Sequence, residues 1–331
     1  MHDSAQIVIL TSRFDPHSDV IVQRLGEMGQ SVVRLNTEDV PQSSEFHLTV
    51  DADGWTGALG LGGGRTIDFS AVRSVLVRRP GPFVYPDAFD AVAKMFADAE
   101  NKHGYSSLWS LTECRWVSRL DRIRAAGWKP EQLHRASQMG FEIPKTIVTT
   151  VPEKVQDFFR ACSGKMIVKT LSGPAGLAAA AERGAAVPDV DLRTRFVTEE
   201  ALSGLDGVRA APCLFQEYIE KDHELRVTVI DGEVFAAEIH SQVSPSTRVD
   251  SRSSDADIPF KATRLPGHME ELCRAFIDSY GLSFGAIDLI RTPDGRIIFL
   301  ENNPVGQFMF VERRLPELRM TDALVACLVR K

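Results

Sequence analysis

Residues 284–304 read FGAIDLIRTPDGRIIFLENNP. Two apolar runs flank Pro293-Asp294-Gly295, a strong turn signal, so the stretch is read as a β-hairpin. Asp288 falls on its first strand and Glu301 on its second. If the turn is the two-residue Asp294-Gly295 type, Asp288 sits directly opposite Glu301, with Cβ atoms roughly 5 Å apart. Like charges facing each other destabilise a sheet unless something positive lies between them. Asn303, two residues past Glu301, returns to the same face. Two carboxylates and an amide oxygen converging on one point make a hard-oxygen site suited to Mg²⁺. A three-residue type I turn on Pro293-Asp294, with Gly295 in a bulge, instead shifts the pairing by one and separates the carboxylates. The competing reading is a surface hairpin with an unrelated Asp and Glu, and the stretch alone does not choose.

The bulk properties bound the answer. At 331 residues the chain is too long for one simple core, so two or three subdomains are expected. Its 44% hydrophobic and 25% charged content are those of an ordinary globular protein. A net charge of −7 disfavours a general nucleic-acid role. Cysteines 114, 162, 213, 273 and 327 are scattered and lack CxxC spacing, which argues for reduced thiols and against a zinc site. No signal peptide and no apolar stretch of spanning length is present, so the expectation is a cytoplasmic protein that does not engage a membrane.

The pattern along the chain is α/β (α+β). A strand at Gln6–Leu10, a helix ending at Gly29 and a strand at Ser31–Leu35 predict a parallel sheet with a right-handed crossover. No GxGxxG follows, and Gly60–Gly64 reads as a loop. A hairpin around Asp53-Gly54, a buried strand at Val75–Val77 and a long helix over Asp87–Leu111 come next. A helix from Pro130 to Met139, stopped by Gly140, opens the later part. Strands follow at Lys145–Thr150 and Lys165–Thr170, around a helix at Pro152–Ala161. Residues 173–207 read as a loop with a short helix near Thr198–Leu202. Strands at Leu214–Tyr218, Glu224–Ile230 and Val234–Ile239, a helix at Gly267–Tyr280, the opening hairpin and a closing helix at Thr321–Val329 complete the chain.

Several segments line up in order. Lys129-Pro130-Glu131-Gln132-Leu133 precedes Ile143-Pro144-Lys145-Thr146. Then come Ile167-Val168-Lys169, Phe215-Gln216-Glu217-Tyr218-Ile219 and His223-Glu224-Leu225-Arg226-Val227, and last Asp288, Glu301 and Asn303. From about residue 116 to 331 this order and spacing resembles the ATP-grasp superfamily. Within it, the chain looks most like the ATP-grasp maturases of microviridin-type and related graspetides. Val33–Pro41 resembles a stretch typical of those enzymes, as does Val75-Leu76-Val77-Arg78-Arg79-Pro80. Trp116-Val117-Ser118 stands where the family has Trp-Val-Asn, and Ser241-Gln242 with Asp250-Ser251-Arg252 matches its Ser-Gln…Asp-Trp-Arg with the Trp replaced. The resemblance implies a pre-ATP-grasp α/β domain (1–115) and central (116–213) and C-terminal (214–331) ATP-grasp subdomains, with the nucleotide between the last two.

The roles it implies have physical grounds. ATP concentrates negative charge on its phosphates, which calls for fixed cations and Mg²⁺. Lys129 and Lys169 would bind phosphates as point charges. Gln216, Glu217, Tyr218 and Ile219 would form the hinge whose backbone reads the adenine edge, with Glu217 and Glu224 flanking the nucleoside. An exposed strand residue stands as the alternative reading of Glu217. Arg226 and Arg252 are guanidinium forks suited to a γ-phosphate or acyl-phosphate. For Arg226 a structural salt bridge to a neighbouring strand stands as an equal reading. Arg78 and Arg79 would hold an acidic peptide, or else cap carbonyls at a strand end. The implied activity is an ADP-forming ligase that installs ω-ester or ω-amide crosslinks in a ribosomal precursor peptide with leader and core, working as a homodimer. The competing activity is joining an amino acid to an acceptor, as RimK-type ligases do.

Overall fold

The computed structural model describes residues 7–172, 194–249 and 257–330. The chain divides into two compact units. One takes in the chain up to Ile123, Gly281–Phe284 and the segment from Arg319 onward; the other takes in Arg124–Tyr280 and Gly285–Leu318.

The first unit carries, in chain order, β1 (Ile7–Thr11), β2 (Val32–Asn36), β3 (Ser44–Asp51), β4 (Gly54–Leu61), β5 (Arg65–Asp68), β6 (Ser74–Val77) and β7 (Arg115–Val117). β2-β1-β6-β7 form a parallel sheet and β3-β4-β5 an antiparallel one. Every residue of β1 is buried, as expected of an inner parallel strand covered on both faces. The helix Pro16–Glu27 connects β1 to β2, which pair in parallel. The long helix spans Ala91–Leu111 and begins later than its periodicity suggests. Asp90 sets that start by accepting from the Ala93 N–H at 2.7 Å. Gln6, at the head of the first expected strand, lies outside the described residues.

Asp15 organises the interior of this unit. It is 2% exposed and accepts hydrogen bonds from Thr11 Oγ1 at 2.7 Å and Ser18 Oγ at 2.5 Å. Arg78 Nε lies 4.0 Å away, and Arg78 is itself 1% exposed. Burial acts to raise the Asp15 carboxyl, but hydrogen bonds from His17, Ser18 and Thr11 and the Arg78 charge outweigh it and hold it far below the usual carboxylate range. A depressed carboxylate contributes stability that is present above its unfolded pKa and lost as pH falls through the folded one. Asp15→Asn is therefore expected to cost about 3 kcal/mol at pH 7, because it removes the buried charge that faces Arg78 and accepts from Thr11 and Ser18. The variant also loses part of the wild-type fall in stability below pH 4, measurable by urea unfolding across pH.

The second unit holds two antiparallel sheets. Its strands are β8 (Thr146–Thr149), β9 (Met166–Lys169), β10 (Arg195–Phe196), β11 (Cys213–Glu217), β12 (His223–Ile230), β13 (Glu233–Ile239), β14 (Phe260–Thr263), β15 (Phe284–Arg291) and β16 (Ile297–Asn303). The smaller sheet runs β10-β9-β11-β8 and the larger β14-β13-β12-β15-β16. One face of the smaller sheet buries Met166 and Phe215 against Val155 and Phe159 of the helix Pro152–Ala161. Behind the larger sheet, Phe276 of the helix Gly267–Ser279 packs on Phe299 with ring centroids 4.9 Å apart. The tight β12–β13 turn places Asp231 and Gly232 at φ 49° and 84°, the primed-turn geometry of a two-residue hairpin.

The decisive hairpin differs from expectation at its tip. Gly295 N donates to Thr292 O at 2.9 Å, Thr292 N to Arg296 O at 3.0 Å, and Gly295 sits at φ 89°. This is the three-residue turn, a type I turn on Pro293-Asp294 with left-handed Gly295, and the two-residue turn is overturned. Its register carries through Arg291↔Ile297, Ile290↔Ile298 and Leu289↔Phe299. A β-bulge then intervenes, and Asp288↔Glu301 and Ala286↔Asn303 pair beyond it. Leu300 is the extra residue. The bulge reverses the shift introduced by the turn, so the carboxylates face each other after all.

Candidate functional site

Strand register dictates which side chains share a face, because cross-strand partners point the same way. On the larger sheet Asp288 and Glu301 are partners. Asn303 follows Glu301 by two and lands on their face. Arg226 of β12 reaches the same cluster, its Nη1 donating to Asp288 Oδ1 at 2.7 Å. Glu224 shares that face by its two-residue spacing from Arg226. On the smaller sheet Lys169 pairs with Leu214, and Gln216 with Thr146 and Ile167, on the face away from the Phe215 core.

Lys129 joins the two sheets electrostatically. It is the first residue of the helix Lys129–Met139, with Pro130 at a favoured first-turn position. Its Nζ donates to Thr170 O, just past β9, at 2.9 Å and lies 3.2 Å from Glu301 Oε2. Burial pushes the Lys169 ammonium down, with Glu301 pulling it back and Lys129 adding repulsion, so all three groups share one field.

The two carboxylates are held apart in character. Burial raises the Asp288 carboxyl, opposed by Arg226 and reinforced by Glu301. Burial also acts to raise Glu301, but the Lys129 and Lys169 charges outweigh it and hold it at about 2. Asn303 Nδ2 bridges the pair, 3.1 Å from Asp288 Oδ2 and 3.4 Å from Glu301 Oε1. A half-turn of that amide puts Oδ1 in the same place, and the donor set is then three hard oxygens, which fits Mg²⁺. Among the described residues, no group of three His, Cys, Asp or Glu side chains forms a metal cluster, so this set depends on its amide.

The other expected residues are distributed unevenly. Arg226 Nη2 donates to Gln307 O at 2.7 Å, so its fork is engaged by Asp288 and by the loop after β16. The salt-bridge reading of Arg226 and its place in the site are thus the same geometry. Glu224 Oε1 accepts from Ser241 Oγ at 3.0 Å and from Lys221 Nζ. The side chain of Glu217 turns to the core face of its sheet, where its carboxylate accepts from Lys145 N at 3.3 Å. The N–H groups of Glu217 and Tyr218 bond Lys145 O and Lys165 O, both at 2.9 Å. Tyr218 packs on Phe196 with centroids 4.5 Å apart. Gln216 is buried and its Nε2 donates to Thr146 Oγ1 at 3.0 Å. Arg78 is engaged by Asp15 in the first unit, and Arg79 is exposed. Arg252 lies outside the described residues.

Sequence reasoning missed Lys221. Its side chain is 7% exposed, it pairs with Glu224, and it donates to Val249 O at 3.3 Å. Lying between Glu220 and Asp222, it reads as part of a solvated charge run. Among the described residues, it brings four cations (Lys129, Lys169, Lys221, Arg226) to three carboxylates (Glu224, Asp288, Glu301) in one cluster. That surplus of positive charge suits a polyanion that arrives with a divalent cation.

No protein-family model and no curated protein sequence matches the chain. Solved structures do. The macrocyclase MdnC from Microcystis aeruginosa MRC, bound with its precursor peptide MdnA, is 26% identical, with TM-score 0.84 over 98% of this chain and 99% of that one. A Chryseobacterium gregarium RiPP-associated ATP-grasp ligase, in complex with ADP and a leader and core peptide, is also 26% identical, with TM-score 0.84 over 97% and 96%. The macrocyclase MdnB from the same Microcystis is 27% identical, with TM-score 0.79 over 98% and 99%.

Gly306 gives this geometry a direct test. A Cβ there would sit 2.5 Å from Ala286 Cβ, 2.9 Å from Arg226 Nη2 and 3.1 Å from Asn303 Cβ. Gly306→Ala is expected to weaken divalent-cation binding at this cluster by roughly tenfold or more by displacing Arg226 and Asn303, while costing only about 1–3 kcal/mol of stability. Mg²⁺ titration calorimetry beside a melting curve checks it.

Proposed function

The chain has the ATP-grasp fold of the RiPP-associated ligases, matched over 97–98% of its length, and from that premise we propose that it is an ADP-forming macrocyclising ligase. Its substrate is a ribosomal precursor peptide with leader and core, and it installs ω-ester or ω-amide crosslinks. The observation that carries this reading is the single cluster of Asp288, Glu301 and Asn303 with Lys129 and Lys169 across two sheets.

The reaction has two steps. A side-chain carboxylate of the peptide attacks the γ-phosphorus of ATP, the bond to the β-phosphate oxygen breaks, and an acyl-phosphate and ADP result. A hydroxyl or amine of the same peptide then attacks the acyl carbon, phosphate leaves, and the nucleophile's proton is taken up by the released phosphate and solvent. Direct condensation in water is uphill, so the carboxyl oxygen must first become part of a good leaving group.

Each residue contributes by position. Lys129 and Lys169 hold phosphate oxygens as point charges. Asp288, Glu301 and Asn303 would hold Mg²⁺, which would supply neutralising charge to the phosphates. Arg226, fixed by Asp288 and Gln307 O, orients that carboxylate and adds positive potential where the acyl-phosphate forms. Glu224, held by Lys221 and Ser241, accepts from the ribose hydroxyls. Adenine meets the backbone of Gln216–Ile219, where the N–H groups of Glu217 and Tyr218 already bond Lys145 O and Lys165 O; the Glu217 side chain, turned to the core face, takes no part. Arg79 is the exposed member of the Arg-Arg pair and meets the acidic peptide. We extend the reading to a homodimer on the strength of the resemblance, and to the cytoplasm on the scattered cysteines that lack CxxC spacing.

The test is intact-mass spectrometry of a precursor peptide encoded beside the gene, incubated with the protein, ATP and Mg²⁺. Loss of one water per crosslink, dependent on ATP, is expected. An unchanged peptide together with ADP release on free amino acids would overturn macrocyclisation in favour of amino-acid ligation. Asp288→Ala and Glu301→Ala are each expected to reduce turnover by at least about 100-fold in a folded protein. Wild-type turnover in either would sink the metal assignment.

A further inference from the structure

We infer that Gln132 is a positioning residue for the cation site, acting through the backbone of Asn302; the inference rests on the proposed roles of Glu301 and Asn303. Gln132 is 1% exposed on the helix Lys129–Met139. Its Oε1 accepts from Asn302 N at 2.8 Å, and its Nε2 donates to Asn302 O at 2.8 Å and to Ala126 O at 2.5 Å. Asn302 stands between Glu301 and Asn303. A single side-chain amide thus grips both polar groups of the peptide residue whose neighbours supply the two oxygens.

The grip is needed because of where β16 lies. It is the last strand of its sheet, so the outward N–H and C=O groups have no strand to pair with. Phe299 N is met by Glu142 O at 2.8 Å. Beyond it comes the bulge at Leu300, which breaks the ladder and loosens the aim of the residues that follow. Gln132 restores the pairing immediately after the bulge and does the work of one residue of a neighbouring strand.

Its place on the helix couples two tasks. Lys129 and Gln132 are three residues apart and so lie on one face. One reaches Glu301 Oε2 by charge, and the other fixes the next residue's backbone. The direction of the Glu301 carboxylate is therefore set from the same helical turn that neutralises it. Metal ligands require such outer partners to hold their orientation.

A purely structural Gln132 would move stability and leave metal use intact, which gives the test. ADP affinity is measured by calorimetry with Mg²⁺ and with EDTA, for wild type and for Gln132→Met, beside melting curves. In wild type Mg²⁺ tightens ADP binding. In the variant that gain is expected to shrink by roughly tenfold or more, the size seen when outer partners of metal ligands are removed, while metal-free ADP affinity stays unchanged. A lower melting temperature with the full Mg²⁺ gain overturns the inference. Equal loss of ADP affinity with and without metal overturns it too. If Gln132→Met does not fold, Gln132→Glu keeps an acceptor for Asn302 N and is expected to shift the Mg²⁺ gain in the same direction; an undiminished gain there overturns the inference. A wild type whose ADP binding ignores Mg²⁺ would bring down the cation site itself, and this inference with it.

Discussion

Two carboxylates set opposite one another on neighbouring strands are a liability that the rest of the second unit answers. Asp288 and Glu301 repel across the ladder. Lys129 comes in from a helix start, Lys169 from the end of a strand in the other sheet, and Arg226 from the adjoining strand. Asn303 bridges the pair from two residues along. Each arrives on a different element, so the site is assembled only when both sheets and the helix between them are in place. The same arrangement splits the titration of the two groups, lowering Glu301 and raising Asp288.

Most of the framework was legible because its signals are local. The helix stop at Gly140, at φ 103°, the Asp231-Gly232 turn and the apolar strand Ser74–Val77 each announce themselves within a few residues. The short strands β7, β10 and β14, of three, two and four residues, carry too little pattern to register. The site was legible in part. Asp288, Glu301 and Asn303 share a face as their spacing suggested, but for a reason the spacing hid, since both the tip and the bulge depart from a regular hairpin. A bulge residue such as Leu300 looks like any other apolar strand residue. Lys221 and Gln132 gave no signal because partners such as Val249 O and the Asn302 backbone lie far off in sequence.

The basic pair Arg78-Arg79 shows how identical residues part company. The first closes a buried strand and is committed to Asp15, whose carboxylate also gathers Thr11 and Ser18. The second is exposed. Adjacent side chains at the end of a strand point to opposite sides, so one arginine serves the interior and the other is left for solvent or a ligand. Reading the pair as a unit, as a motif invites, merges two different physical tasks.

The hairpin tip and the bulge at Leu300 form a matched set of departures from regularity. Side-chain direction along a strand is a two-valued quantity, and each departure reverses it once. Two reversals restore the original sense, so neither is tolerable alone although the two together are harmless. A lineage that lengthened or shortened the tip by a single residue would point Glu301 and Asn303 into the Phe299 layer unless the bulge vanished in the same stroke. Changes of two residues at the tip carry no such penalty. The length of this loop is thus constrained in its parity and free in its size.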